Sequence, residues 1–161
     1  MNGNTTGILT WNIEEITQAL KINAGDVREY FTDGRRVSFL LERRLAREVL
    51  NGTLAPSEGA GFDLLDSQGG KWEVRSISKG GIYFCPSYMV GSGRSFNEDG
   101  FLRKLDEIEG YIISDIESFP NIPYWTVPMQ QVRIWWEAGQ LGNTTKVSRQ
   151  KALDLLGRMS R

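Results

Sequence analysis

The stretch EGAGFDLLDSQGGKWEVRSIS, residues 58–78, decides the fold class, because it combines two strand signals with the turn that joins them. Short strands are predicted at Phe62–Leu65 and Lys71–Ser78, where β-branched, aromatic and other apolar residues are bounded by glycine and polar residues. The letters DSQGG between them are typical of a hairpin turn. The stretch therefore predicts an antiparallel hairpin.

Charged side chains in this hairpin are predicted to share one face. Side chains alternate along a strand, so Glu73 and Arg75 point to the same side. The length of the hairpin allows Asp63 to lie directly opposite Glu73 or Arg75, with its carboxylate on that side too. Neighbouring carboxylates repel each other and lose hydration, and a divalent cation relieves both costs. Asp63 and Glu73, with the Val74 carbonyl, are therefore predicted to form an oxygen site for Mg²⁺ or Mn²⁺.

Helices and strands alternate along the rest of the chain. The apolar spacing predicts two short helices within 11–31 and further helices at 37–50, 98–109, 130–138 and 148–159, with strands at 81–85, 111–115 and 124–127. This order predicts an α/β or α+β fold, a mixed β-sheet flanked by helices. Residues 1–34 are expected to form an N-terminal helical extension and residues 35–161 the main domain.

Composition excludes several kinds of catalytic site. The chain has 161 residues, about one domain, with one cysteine, Cys85, and no histidine. Ser-His-Asp and Cys-His catalysis, histidine zinc sites and an imidazole general base are thereby excluded. Hydrolytic chemistry in this chain has to use carboxylates, Lys or Arg, hydroxyls and a hard cation bound by oxygen.

Charge and hydropathy set the expected surroundings of the protein. The net charge is −1, but 13 of the 19 basic residues are Arg, the better bidentate partner for phosphate. No stretch approaches the roughly 20 apolar residues of a membrane span, and the start MNGNTTGILTW lacks the pattern of a signal peptide. We expect an intracellular, cytoplasmic protein that is neither secreted nor bound to a membrane.

A helix carrying Glu42, then Asp63 in GFD, then Glu73 in EVR ten residues later, resembles the PD-(D/E)xK nuclease superfamily. Residues 58–78 are most similar to small type II restriction endonucleases. The resemblance implies a restriction-endonuclease-like fold and a metal-dependent DNA endonuclease, of the restriction type or a homing or phage-encoded enzyme. It also implies double-stranded DNA as substrate and a homo-oligomer, a dimer or tetramer. Asp63 and Glu73 would bind the metal, with Glu42 as a further ligand of metal or water.

Arg75 stands where the superfamily has its lysine. Arginine stays charged in proteins, so Arg75 could stabilise a phosphate but not act as a general base. Three alternatives follow. Arg75 acts as an electrostatic clamp in an active nuclease, Lys79 on the same strand face supplies the ammonium, or catalysis is lost and the fold only binds DNA.

Other residues offer further contacts and other functions. Arg94 in the glycine-rich loop GSGR is predicted to contact DNA, and Arg35 and Arg36 form either phosphate contacts or surface ion pairs. The helices within 11–31 could form a DNA-binding helix-turn-helix with Arg28 as its base-reading side chain, or a hairpin packed on the core or on a second subunit. Glu73 and Arg75 could instead form an ordinary ion pair on a solvated sheet face. An inhibitor or assembly protein without a nucleic-acid partner is a further alternative, for which the near-neutral net charge is the main argument.

Overall fold

The computed structural model describes residues 4–160. Residues 1–3 of the predicted extension and residue 161 of the predicted domain lie outside the described residues. The elements in chain order are β1 (Thr6–Thr10), α1 (Ile13–Leu20), α2 (Ala24–Phe31), α3 (Gly34–Glu48), β2 (Thr53–Leu54), β3 (Leu64–Leu65), β4 (Lys71–Ile77), β5 (Ile82–Tyr83), α4 (Glu98–Glu107), β6 (Gly110–Asp115), β7 (Asn121–Pro128), α5 (Met129–Glu137), β8 (Lys146–Val147) and α6 (Arg149–Met159). Within the described part of the chain, no helix is long and apolar enough to cross a bilayer.

Six strands form one mixed sheet in the order β1–β7–β6–β4–β3–β2. Strands β4 and β6 run parallel, with Trp72 opposite Gly110, and the other neighbours are antiparallel. A parallel pair needs a crossover connection, and here the crossover contains α4. The predicted class, a mixed sheet flanked by helices, is confirmed.

Each face of the sheet is covered by its own apolar layer. Trp72 and Val74 of β4 belong to the layer formed with α2 and α3, while Ile77 belongs to the layer formed with α4, α5 and α6. This division follows the alternation predicted for β4. Helix α3 buries Val37, Leu41 and Leu45 completely, and their spacing of four residues places them on one face of the helix.

The turn of the β3–β4 hairpin is held by Asp66. Its Oδ1 accepts hydrogen bonds from the backbone N–H groups of Gln68 and Gly70, and its Oδ2 accepts one from Trp72 Nε1. Gly69 adopts a φ of 85°, a conformation that favours glycine. Residues 66–70, DSQGG, thus form the predicted turn, and Leu64 of β3 lies opposite Trp72 of β4.

The N-terminal segment is more than a helical extension. The two predicted helices are present as α1 and α2, but they are preceded by β1, which the sequence analysis did not contain and which pairs with β7 at the sheet edge. Val27 and Phe31 of α2 are buried in the same apolar layer as α3. Residues 6–31 therefore share the sheet and core of the main domain.

The predicted strand at 81–85 is shorter than expected and leaves the main sheet. Only Ile82 and Tyr83 are extended as β5, and they pair with β8, a strand that was not predicted. Two features require a glycine at position 81. Its φ is 101°, a conformation that favours glycine, and a Cβ there would clash with the Val147 carbonyl of β8. The loop that follows, residues 86–97, begins with Pro86, Ser87 and Tyr88, which line one cavity with Phe62 and Asp63 of the hairpin segment.

Candidate active site

Four of the predicted site residues line one cavity of about 450 Å³, called here the site cavity. Glu42 comes from α3, Asp63 from the residue before β3, and Glu73 and Arg75 from β4. Helix α4 forms the opposite wall. The strand alternation brings Glu73 and Arg75 to one side, and the hairpin brings Asp63 to them, as the sequence predicts.

Arg75 lies at the centre of these oxygens. Its Nη1 is 2.9 Å from Glu73 Oε2, 2.9 Å from the Val74 carbonyl and 3.9 Å from Asp63 Oδ2. Its Nη2 donates a hydrogen bond of 3.3 Å to the Cys85 carbonyl. The guanidinium therefore contacts the three groups predicted to hold a metal, and it brings a permanent positive charge to them.

Lys104 of α4 is a member of the site that sequence reasoning missed. Its Nζ contacts Glu73 Oε1 and the Gly61 carbonyl. Glu73 is thus paired through both oxygens, one to Lys104 and one to Arg75. A signal exists in the sequence, since Lys104 follows Phe101 by three residues on a helix whose buried stripe includes Phe101. We call Glu42, Asp63, Glu73, Arg75 and Lys104 the acid–base cluster.

Asp63 is held by the backbone of β4. Its Oδ2 accepts a 2.8 Å hydrogen bond from the Val74 N–H. Burial and the neighbouring Glu73 carboxylate raise the pKa of Asp63, although the Val74 hydrogen bond and Arg75 oppose that shift. The folded protein therefore holds this carboxylate where added positive charge would stabilise it.

The pKa of Glu42, like that of Asp63, is raised in the folded protein. Burial, followed by repulsion from Asp63, raises its pKa from the ordinary 4.5 to about 7, and the attraction of Arg43 and Arg75 does not offset this. Since the two carboxylates face the same cavity, a cation between them would favour the charged form of both.

Replacing Glu42 by glutamine should change how stability depends on pH. The folded pKa of about 7 exceeds the ordinary 4.5, so the folded state binds the extra proton between these values and the wild type loses stability as pH rises through this window. Glu42→Gln removes that loss. With metal chelated, urea unfolding should show the variant more stable than the wild type by on the order of 1 kcal/mol at about pH 8, allowing for solvent screening, and no more stable at about pH 4. An equal difference at both pH values would contradict the prediction.

Lys79 and Arg94 lie outside the acid–base cluster. Lys79 is exposed in the turn beyond β4, where its backbone N–H donates to Glu117, so it does not supply the ammonium that the sequence analysis considered for it. Lys104 is the lysine whose ammonium contacts Glu73. Arg94 is exposed, and its Nη1 donates to the carbonyls of Ser87 and Val90, which places it on the loop beside the site cavity.

Arg35 and Arg36 at the start of α3 have different surroundings. Arg35 lines a larger cavity of about 760 Å³ that also reaches Glu42. Arg36 lies 3.6 Å from Glu29 and 3.7 Å from Asp33, in exposed ion pairs. Of the two alternatives left open by the sequence, Arg36 follows the ion-pair one, and the phosphate contact of Arg35 stays a prediction.

The structure of α1 and α2 does not favour the helix-turn-helix alternative. Arg28, the base-reading side chain of the helix-turn-helix alternative, donates from Nη1 to the Phe119 carbonyl at 3.3 Å. Val27 and Phe31 of the same helix are buried in the core. The geometry favours the other alternative, a helical hairpin packed on the core.

A divalent cation bound at the acid–base cluster would have few protein ligands. Among residues 4–160, no three acidic or cysteine side chains are arranged as a metal-binding group. Mg²⁺ usually keeps several waters and takes only one or two carboxylates together with substrate phosphate. Glu42 and Asp63 provide such a donor set, since both bring carboxylate oxygens to the site cavity. Glu73 would become a metal ligand only by giving up its contact with Arg75 or with Lys104.

The fold and site together define a mixed α+β protein in which three carboxylates and two cations, largely buried, line one cavity. Comparison with protein-family models, with curated proteins and with solved structures gives no match. A functional assignment therefore depends on the chemistry of the cluster itself.

Proposed function

We propose that this protein is a metal-dependent endonuclease that hydrolyses phosphodiester bonds of DNA. The observation that supports it most is the convergence of Glu42, Asp63 and Glu73 with Arg75 and Lys104 in one open cavity. Two carboxylates with raised pKa values, Glu42 and Asp63, lie beside two fixed cations, and this combination suits a substrate that is itself a phosphate bound through a divalent ion. The resemblance to PD-(D/E)xK nucleases supports the same chemistry.

Each member of the cluster has a distinct task in this proposal. Glu42 and Asp63 hold Mg²⁺ or Mn²⁺, which when bound neutralises charge on the phosphodiester and makes water a stronger nucleophile. Arg75 keeps its charge and stabilises the negative charge that builds up on the phosphate. Glu73 positions Arg75 and Lys104 through both of its oxygens. Lys104 supplies the flexible ammonium that the resemblance assigns to position 75.

The test is cleavage of supercoiled plasmid and phage DNA by the purified protein with Mg²⁺, with Mn²⁺ and with a chelator. We expect metal-dependent breaks from the wild type and a clear loss of activity in Lys104→Met, which keeps most of the length of the side chain without its charge. Arg133→Met, which removes a cation paired with Asp106 on the surface, serves as the matched control. Cleavage that persists in the chelator, or that is equal in both variants, would contradict the proposal.

A second candidate, a nuclease fold that binds DNA without cutting it, is favoured by one observation. Arg75 Nη1 lies within 2.9 Å of both Glu73 and the Val74 carbonyl, atoms that would otherwise be open to a metal. Arg75→Lys tests this candidate, because the shorter ammonium leaves these oxygens more accessible. Cleavage by Arg75→Lys but not by the wild type would establish the binding function in place of the nuclease.

We also propose that the protein acts as a homo-oligomer, since cutting both strands of a duplex with one site per chain is simplest with two symmetric copies. Light scattering of the protein with and without DNA measures this directly. A monomer under both conditions would contradict the oligomer and leave the cleavage chemistry untouched.

A further inference from the structure

Two exposed aromatic rings lie beside the acid–base cluster. Among the large hydrophobic side chains that the structure describes as exposed, only Phe39, at 58%, and Tyr88, at 63%, are aromatic. Packing rings of this size against other groups removes a large apolar area from water, and most aromatic residues of this chain do so. One exposed ring is ordinary on a protein surface, but two rings beside the same carboxylates provide flat apolar faces on which a planar ligand can stack.

The two rings approach the cluster from different sides. Tyr88 lines the site cavity, together with Glu42 and Asp63. Phe39 lines a neighbouring cavity of about 520 Å³, which also contains Glu42 and Asp63. The two carboxylates that would hold the metal are thus common to both cavities, with one exposed ring in each.

Each ring is accompanied by a cation. The Arg43 guanidinium carbon lies 3.4 Å from the centre of the Phe39 ring, and Arg43 Nη1 donates to the Phe39 carbonyl. This contact covers one face of the ring and fixes its position. On the other side, Arg103 lines the site cavity with Tyr88. A flat aromatic surface next to a guanidinium suits a nucleobase with its adjoining phosphate.

The faces of bases are covered by their neighbours in a continuous duplex, so stacking on protein rings requires an unpaired strand. We propose that the site takes an unpaired DNA strand, with the bases on either side of the reacting phosphate stacked on Phe39 and Tyr88. This inference rests on the proposed nuclease function and narrows its substrate from double-stranded DNA to DNA with unpaired bases at the cutting site.

Binding of a labelled single strand of about 12 nucleotides, with metal chelated so that no cleavage occurs, tests the proposal by fluorescence anisotropy. The full chain should bind the single strand more tightly than the matched duplex. Phe39→Leu and Tyr88→Leu keep an apolar side chain without an aromatic face, and each should weaken binding about 5- to 150-fold. Phe39→Tyr and Tyr88→Phe keep the face and should bind like the wild type, as should the control Ile134→Ala, which changes an exposed residue of α5.

Three results would overturn the inference: equal affinity of the leucine variants and the wild type, tighter binding of the duplex, or no measurable binding of the single strand. Metal-dependent cleavage is recorded separately on duplex plasmid. If the plasmid is cut equally by the wild type and both leucine variants, the nuclease function stands and the unpaired-strand proposal fails. If ring-dependent binding is found without any cleavage of single or double strands, the nuclease function fails instead.

Discussion

Asp63→Asn should lower the rate of metal-dependent DNA cleavage by at least ~100-fold without unfolding the protein. Asparagine keeps an oxygen that can accept the 2.8 Å hydrogen bond from the Val74 N–H. It removes the negative charge that would bind the cation. Because burial and Glu73 raise the pKa of Asp63, loss of that charge should leave the melting temperature equal to or above that of the wild type.

Single-turnover cleavage and a thermal melt of the same preparation measure both effects. Asp106→Asn is the matched control, since Asp106 is an exposed carboxylate paired with Arg133 away from the site cavity. That control should cut DNA at the wild-type rate. A variant Asp63→Asn that cuts normally, or one that loses activity only because it unfolds, would refute the role of Asp63.

Glu73→Gln should produce the largest loss of stability among the site variants. The Glu73 side chain is only 7% exposed, and it pairs with Arg75 and Lys104, which are themselves 17% and 11% exposed. Removing the shared anion leaves two largely buried cations without their main partner, which costs about 3–5 kcal/mol. For a chain of this size the melting temperature should fall by roughly 10 °C.

The comparison with a surface pair makes this prediction specific. Asp106→Asn breaks the Arg133 ion pair, whose carboxylate is 68% exposed, and should change the stability by no more than about 1 kcal/mol. Adding Lys104→Met to Glu73→Gln should recover part of the lost stability, because one of the stranded cations is then removed. Equal melting temperatures for Glu73→Gln and the wild type would show that the cluster does not stabilise the fold.

Local patterns were enough to predict the hairpin and most helices. The hydrogen bonds of the turn are local, since Asp66 accepts them from Gln68 and Gly70. The spacing of Leu41 and Leu45 also indicates which face of α3 is buried. Strand alternation likewise predicted that Glu73 and Arg75 share a side, because the period of two is a property of the extended backbone. Asp63 could be added to them because the turn length limits the register of the hairpin.

Long-range pairing was not predictable in the same way. β1 is only five residues long and contains a glycine, and its extended form depends on pairing with β7, more than 100 residues later. β5 and β8 are two-residue strands that exist because they pair with each other. Lys79 was placed on the active face by alternation, but the strand ends at Ile77 and the alternation ends with it.

The sequence by itself determined the fold class, the hairpin and the side of β4 on which Asp63, Glu73 and Arg75 meet, because these follow from side-chain periodicity and turn chemistry within a few residues. Only the tertiary structure decided that Lys104 completes the cluster, that Arg75 Nη1 sits among the carboxylate oxygens, and that Phe39 and Tyr88 flank it. Those relations depend on how α3, α4 and the 86–97 loop pack against the sheet. Packing joins residues far apart in the chain through contacts that no local pattern records.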